Sequence, residues 1–297
     1  MTEPTLDHLD PQLHSTLALD ASDRIAYVRS DRWLDYPRGA LALRKLADLV
    51  SFPRCSRMPS LLIWGESGMG KTMIAKTHLS DHPPVFDSKA GVRRTPVLSI
   101  QMPSTPDSRG IYAAILEALG APLLSGGGRT DIAILEPRTL HLMKEVGVRM
   151  LMIDEFHNLL VGSNRIQRTV LNLVRHISNH LEISIVCLGT QEAREALMSD
   201  PQLVRRFESF ELKPWKKGDD FYALLNTLLY TLPLRRRSSL GAKSYDLVLA
   251  RTSGITSNIF RLMTELAVEA INSGHEEITL PSIRDSEIIS LPLNLAA

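Results

Sequence analysis

The run Gly65-Glu66-Ser67-Gly68-Met69-Gly70-Lys71-Thr72 has the spacing G-x-x-x-x-G-K-[ST]. Glycines so placed let the backbone turn tightly enough for several N–H groups to converge on one anion. A helix opening at the end of the turn adds its N-terminal dipole. Lys71 is of the type and position to reach the β- and γ-phosphates of a nucleotide, and the Thr72 hydroxyl to bind Mg²⁺. Residues Gly65 to Met73 therefore read as a cradle for ATP.

Cleaving a phosphate needs more than a cradle, and "MLMIDEFHNLL" supplies an acidic pair directly after four apolar residues. Asp154, at the end of a buried strand, is placed to hold Mg²⁺ through its water shell, and Glu155 to orient and deprotonate an attacking water. His157, two residues on, either senses the site or caps a helix. "VCLGT" ends another apolar run, where Thr190, or Gln191 after it, would hold the water near the γ-phosphate; Thr190 also suits an N-cap of "QEAREAL". In "DPQLVRRFESF", Arg206 is the preferred arginine finger for a neighbouring subunit's γ-phosphate and Arg205 the alternate. The same pair also suits exposed helix-end arginines that complement the dipole. Arg261 either reports the phosphate state or pairs with Glu265 at i+4.

The elements that must position these residues alternate. "LLIW" precedes the cradle and a helix follows it to about Leu79; "PVLSIQM", "RMLMID", "ISIVCLG" and "FESFEL" read as further strands, with helices between them. This pattern predicts an α/β fold with a five-stranded parallel sheet flanked by helices. "RGALALRKLADLV" forms an amphipathic helix before the first strand, "HPPVFDSKAGVRR" reads as a Pro-broken loop, and "APLLSGGGR" as another loop. From about Trp215 onward the remaining segments are helical and form a small lid. The first twenty or so residues show no helical or strand period, and the expected divisions are an arm at 1–34, the α/β domain at 35–214, the lid at 215–280 and a tail at 281–297.

The chain has 297 residues, 44% hydrophobic and 23% charged, with a formal net charge of +1. No global basic field points to nucleic acid, so any DNA contact must be a local patch. Cys55 and Cys187 lack the spacing of a zinc or redox pair and read as reduced core or near-core thiols. No stretch approaches about 18 uninterrupted apolar residues, and the acidic N-terminus lacks the pattern of an export signal. A cytoplasmic protein with no membrane partner is expected.

The order of strand, cradle, acidic strand, polar strand end, Arg-Arg-Phe and helical lid resembles the AAA+ ATPases over about residues 35 to 275. A closer resemblance lies in "DRIAYVRSDRWLDYPRGALALRKLADLV", "LLIWGESGMGKTMIAK", "MLMIDEFHNLLVGS" and "QLVRRFE", which look like the TniB family of transposition ATPases, relatives of TnsC and more distantly of MuB. The resemblance implies an ATP-loaded protein that assembles as a ring or filament on double-stranded DNA. It further implies recruitment of a DDE transposase (TniA-like), docking of a TniQ-like targeting adaptor, and disassembly on slow, assembly-dependent hydrolysis. It places Trp33, Tyr36 and Pro37 beside the adenine, where ordinary packing is the other reading. Glu66, Ser67 and Met69 depart from residues common in the family, at positions that contact phosphate through the backbone. Arg93, Arg94, Ser104, Thr105 and Arg109 are the candidates for DNA phosphate contacts, against a plain solvated surface. An AAA+ loader or initiator of replication or repair would share every catalytic residue. A nucleotide-locked scaffold that does not hydrolyse ATP is the third reading.

Overall fold

The computed structural model describes residues 6–121 and 131–287, so most of the "APLLSGGGR" loop and most of the expected tail lie outside the described residues. Two compact units are present. One is residues 41–212, and the other joins the chain up to Ala40 with the chain from Lys213 onward.

The first twenty or so residues, expected to lack helical period, instead hold α1 (His14–Leu17), and α2 (Ala21–Arg29) follows, with Asp20 capping it by accepting from Asp23 N. The long helix α3 (Pro37–Ser51) follows, opened by a proline whose missing N–H costs nothing at the first helical position. Then come β1 (Ser60–Trp64) and α4 (Lys71–Asp81). The expected Pro-broken loop contains a hairpin of β2 (Val85–Asp87) and β3 (Val92–Arg94), strands too short to show an alternating pattern. The alternation resumes with β4 (Val97–Gln101), α5 (Ser108–Ala118), α6 (Ile132–Glu145), β5 (Met150–Asp154), α7 (Asn164–Leu181), β6 (Ser184–Gly189), α8 (Gln191–Met198), α9 (Pro201–Val204) and β7 (Phe207–Glu211).

Five of these strands form one sheet in the order β4-β5-β6-β1-β7, with every neighbouring pair parallel. The central strands explain why. β5 and β6 are buried along their whole length, as strands covered by helices on both faces must be. Ile111, Ile115, Val170, Val174 and Ile177 from the helices join Leu151, Ile153, Ile185 and Cys187 in one core. Register pairs Gln101 with Asp154, and Trp64 with both Gly189 and Glu211, so the carboxyl ends of the strands finish level. The last residues of the strands, and the loops that follow them, share one edge of the sheet.

The second unit is helical in its C-terminal part: α10 (Asp219–Tyr230), α11 (Ala242–Thr252), α12 (Thr256–Ser273) and α13 (Leu280–Asp285), the last lying where only a tail is expected. Its most constrained contact is a buried charge pair. Arg24 of α2, 1% exposed, donates from Nη1 and Nη2 to Glu276 at 2.8 and 2.5 Å, and from Nε and Nη2 to Pro233 O at 3.2 and 2.6 Å. Burial pushes the Glu276 carboxyl up, but the bonds from Arg24 and from Arg235 N outweigh it and hold the group below the usual carboxylate range.

Cys187 is fully buried and its thiol is pushed well up by burial, whereas Cys55 is exposed rather than near the core. Among the described residues no helix is long and apolar enough to cross a membrane.

Because Arg24→Ala leaves Glu276 charged and buried without its partner, it should destabilise the helical unit by roughly 3–5 kcal/mol in denaturant unfolding. Glu276 is depressed on folding, so in the wild type its contribution is present above the unfolded value of about 4.3 and declines as pH falls. A variant as stable as the wild type at pH 7 would contradict this account of the pair.

Candidate active site

The cradle begins where β1 ends. Gly65 donates its N–H to Gly189 O at 3.2 Å, and a Cβ on Gly65 would stand 2.4 Å from Leu212 O, so only glycine passes between β6 and the end of β7. Gly68 and Gly70 have φ of 79° and 90°, a left-handed backbone that a side chain would oppose. Gly70 is the N-cap of α4, so the free amides of the helix start face the turn. Lys71 is 9% exposed, and its Nζ donates to Gly65 O and Glu66 O at 2.8 Å each. Burial lowers the pKa of Lys71, while Asp154, Glu155 and Glu66 act in the opposite direction.

Sheet order brings the acidic strand alongside, with only β6 between β5 and β1. At a strand spacing of about 4.8 Å the two chain ends are separated by roughly 10 Å, within reach of side chains from both. Thr72 Oγ1 donates to Asp154 Oδ2 at 2.7 Å, and Asp154 is 5% exposed with its Oδ1 accepting from Glu155 N at 2.8 Å. A hydroxyl and a carboxylate joined in this way present hard oxygen ligands of the kind Mg²⁺ takes. The glycine backbone, the buried lysine and this oxygen pair together fit a nucleotide with its metal.

Glu155 adopts φ 54° and ψ 37°, a strained conformation for a residue with a side chain, at the start of a 3-10 segment from Phe156 to Val161. Its carboxylate meets His157 Nε2 at 3.2 Å, so His157 faces the site instead of serving as a helix cap. Thr190 stands between the two motif strands, just past β6, and occupies the N-cap position of α8 without a side-chain cap bond. Its buried Oγ1 has no partner at normal hydrogen-bond geometry. It nonetheless lies close enough to Glu192 to be first among the causes holding that carboxyl below its usual range, with the residue's own amide and the His157 ring contributing less. Gln191 turns away, donating to Glu195 Oε1 at 3.1 Å.

The arginine pair divides. Arg206 Nη1 donates to Asn179 Oδ1 at 2.5 Å, on α7 of its own chain, whereas Arg205 is exposed with no hydrogen bond or ion pair among the described residues.

The DNA candidates fall into two groups that β4 separates. Arg93 and Arg94 sit on β3 ahead of that strand, and Ser104, Thr105 and Arg109 follow it, at the edge of the sheet that carries the cradle. Arg94 is tied to Asp87 at 3.2 Å and to Glu145 O at 2.9 Å, so it fastens the hairpin, while Arg93 is exposed opposite Phe86. Ser104 and Thr105 are exposed and Arg109 is half-buried.

Trp33, Tyr36, Pro37 and Arg261 belong to the helical unit. The rings of Trp33 and Tyr36 lie 5.6 Å apart, and Tyr36 meets Trp215 edge-on at 5.5 Å. Burial raises the Tyr36 phenol to about 12. Pro37 opens α3, and Gly39 has no room for a Cβ, which would stand 2.7 Å from the Tyr36 ring. Trp215, which sequence reasoning used only as a boundary, anchors this cluster by donating Nε1–H to Thr256 Oγ1 at 3.0 Å. Arg261 is exposed, and Glu265, its expected neighbour in pairing, instead accepts from Arg29 at 3.3 Å.

The tight seat of Gly65 gives a test. Gly65→Ala must displace the Leu212 carbonyl or the cradle, so it should lower stability by roughly 1–3 kcal/mol and weaken nucleotide binding together, seen in denaturant unfolding and calorimetric titration. Wild-type behaviour in both would contradict the packing described.

The fold and the sequence were compared with known proteins. Among solved structures, ORC2 of Aeropyrum pernix, described as ADPNP-ADP complexes, matches with a TM-score of 0.60 at 17% identity, covering 91% of this chain and 72% of that one. Cdc6p of Pyrobaculum aerophilum matches at 0.57 and 17% identity over 88% and 68%. ORC1 of A. pernix in complex with DNA matches at 0.56 and 19% identity over 88% and 67%. At these identities the likeness is one of fold, and the fold is that of the AAA+ ATPases. A comparison of the sequence with curated proteins returns no match. The model of the bacterial TniB protein matches residues 24–217, most of the chain, and the protein belongs to the TniB family.

Proposed function

We propose that the protein is an ATP-dependent switch of transposition. It binds ATP, assembles on double-stranded DNA as a ring or filament, recruits a DDE transposase to the target, with a TniQ-like adaptor as a further partner, and leaves when ATP is hydrolysed. Membership of the TniB family supports the setting, and the observation that carries the chemistry is the 2.7 Å bond from Thr72 to Asp154 with Glu155 next in the chain. Two solved structures of similar fold, ORC1 of Aeropyrum pernix and ORC of Drosophila, are titled as bound to DNA, and a loader or initiator would use the same residues. The TniB match over residues 24–217 favours transposition.

In this reading Lys71 leaves the carbonyls of Gly65 and Glu66 for the β- and γ-phosphate oxygens, exchanging two neutral acceptors for charged ones that bind it more strongly. Thr72 and Asp154 would hold Mg²⁺, which supplies positive charge to the phosphates when bound. Glu155 takes a proton from the attacking water, and Thr190 holds that water from the end of the neighbouring strand. Arg205, without a hydrogen bond or ion pair among the described residues, reaches the γ-phosphate of the next subunit, so that turnover depends on assembly.

A formal net charge of +1 gives a single subunit little hold on DNA. Many subunits on one filament multiply weak contacts by effective concentration. The exposed Ser104–Thr105 segment and the Arg93 side chain lie at opposite ends of β4, so one subunit would offer them to different phosphates, or to different partners.

Two experiments test the reading. Glu155→Gln should trap ATP-bound assemblies on duplex DNA, prolonging the complex at least tenfold in filter or single-molecule assays, by analogy with other lost catalytic bases; an unchanged lifetime would contradict release by hydrolysis. Arg205→Ala should abolish DNA-stimulated phosphate release while leaving ATP binding intact, and Arg206→Ala should have the smaller effect. The reverse ranking would return the finger to Arg206, and strict monomers in sedimentation with ATP and DNA would remove it altogether.

A further inference from the structure

We propose that His157 is a positioning residue for Glu155: its Nε2–H holds one oxygen of the Glu155 carboxylate, 3.2 Å away, and leaves the other to take the proton of the attacking water. The inference rests on the hydrolytic reading above and adds a residue to it.

The backbone of Glu155 is fixed from both sides. Its N–H donates to Asp154 Oδ1 at 2.8 Å, its carbonyl accepts from Asn158 N at 2.9 Å, and the Asn158 side chain is itself tied to Met102 O at 3.1 Å. These bonds hold a left-handed conformation that a glutamate adopts only under constraint. The side chain is another matter. It is 45% exposed, and among the described residues His157 is the one side chain paired with its carboxylate. A general base on a flexible, half-exposed stem must sample many rotamers, and reaction rate depends on how often it sits in line with the water.

The ring of His157 is well suited to limit that sampling. Its Nδ1 is buried without a partner. An orphaned N–H is costlier than an orphaned lone pair, so the proton is assigned to Nε2, the nitrogen that faces Glu155. Among the described residues, the ring meets Glu155, and Glu192 of α8 lies close enough to feel its charge. The ring's backbone is wedged against the end of β6: a Cβ on Gly189 would stand 3.4 Å from His157 N and 2.5 Å from Ala193 Cβ. The backbone of His157 therefore has a fixed seat at the end of β6, and from it the ring meets the carboxylate of Glu155.

Steady-state phosphate release by the full chain with ATP, Mg²⁺ and duplex DNA tests the proposal, using wild type, His157→Ala, His157→Gln, Glu155→Gln and the double variant His157→Ala/Glu155→Gln. His157→Ala should lower kcat about tenfold or more with KM for ATP and Tm unchanged. His157→Gln, whose amide can place an N–H near Nε2, should recover most of the loss. Adding His157→Ala to Glu155→Gln should cost nothing further, because both act through one group. An unchanged kcat for His157→Ala beside an inactive Glu155→Gln would overturn the positioning role and leave hydrolysis by Glu155 intact. Loss of Tm and KM together with kcat, without rescue by glutamine, would overturn it in favour of a packing role. Wild type that releases no phosphate, or Glu155→Gln equal to wild type, would overturn the hydrolytic reading and this inference with it.

Discussion

The bond from Thr72 Oγ1 to Asp154 Oδ2 joins two pieces of chain that are 82 residues apart, and much of the α/β unit can be understood as the means of making it. A hydroxyl on the first turn of a helix meets a carboxylate at the end of a strand only if the two strand ends are level and close. Parallel register and the insertion of a single strand, β6, between β5 and β1 meet both conditions. That register is in turn held by strands buried on both faces, where a slip would misfit the packed side chains against the helices that cover them. The cost is a carboxylate held at 5% exposure beside a buried lysine, and it is offset by the hydrogen bonds each receives or gives.

The helical unit depends on a charge pair of the opposite kind, one that serves structure. Arg24 and Glu276 are separated by 252 residues, and their bidentate contact ties the N-terminal helix α2 to the turn after α12. The bonds to Pro233 O and from Arg235 N occupy most of the remaining donors and acceptors of the pair, which is the condition under which buried ions are tolerated. The aromatic set of Trp33, Tyr36 and Trp215 adds a second link between the early and late parts of the chain within this unit.

What could be read from sequence followed from how local each signal is. The cradle was legible because Gly68, Gly70, Lys71 and Thr72 carry their geometry within eight positions, and the acidic strand because four apolar residues precede Asp154. The sheet was legible from the apolar, β-branched runs. Helix α2 was not, because the positions it buries are Arg24 and Val28, and a buried arginine is invisible to any hydrophobic period. The hairpin at 85–94 was missed for a related reason: its strands are three residues long and Val85 and Phe86 stay 63% and 66% exposed, so no inward face repeats. The contact of His157 with Glu155 and the engagement of Arg206 by Asn179 depend on side-chain directions that spacing alone does not carry.

These arrangements lead to one chemical claim, that the Thr72–Asp154 pair is a magnesium seat for a nucleotide held by the glycine turn. Calorimetric titration of ATP into the wild type and into Asp154→Ala, each with Mg²⁺ and with a chelator, tests it most directly. The account predicts that Mg²⁺ tightens binding to the wild type by at least tenfold and has little effect on the variant, which still binds through Lys71 and the cradle amides. Equal dependence on Mg²⁺ in the two proteins, or binding by the wild type that ignores the metal, would contradict it.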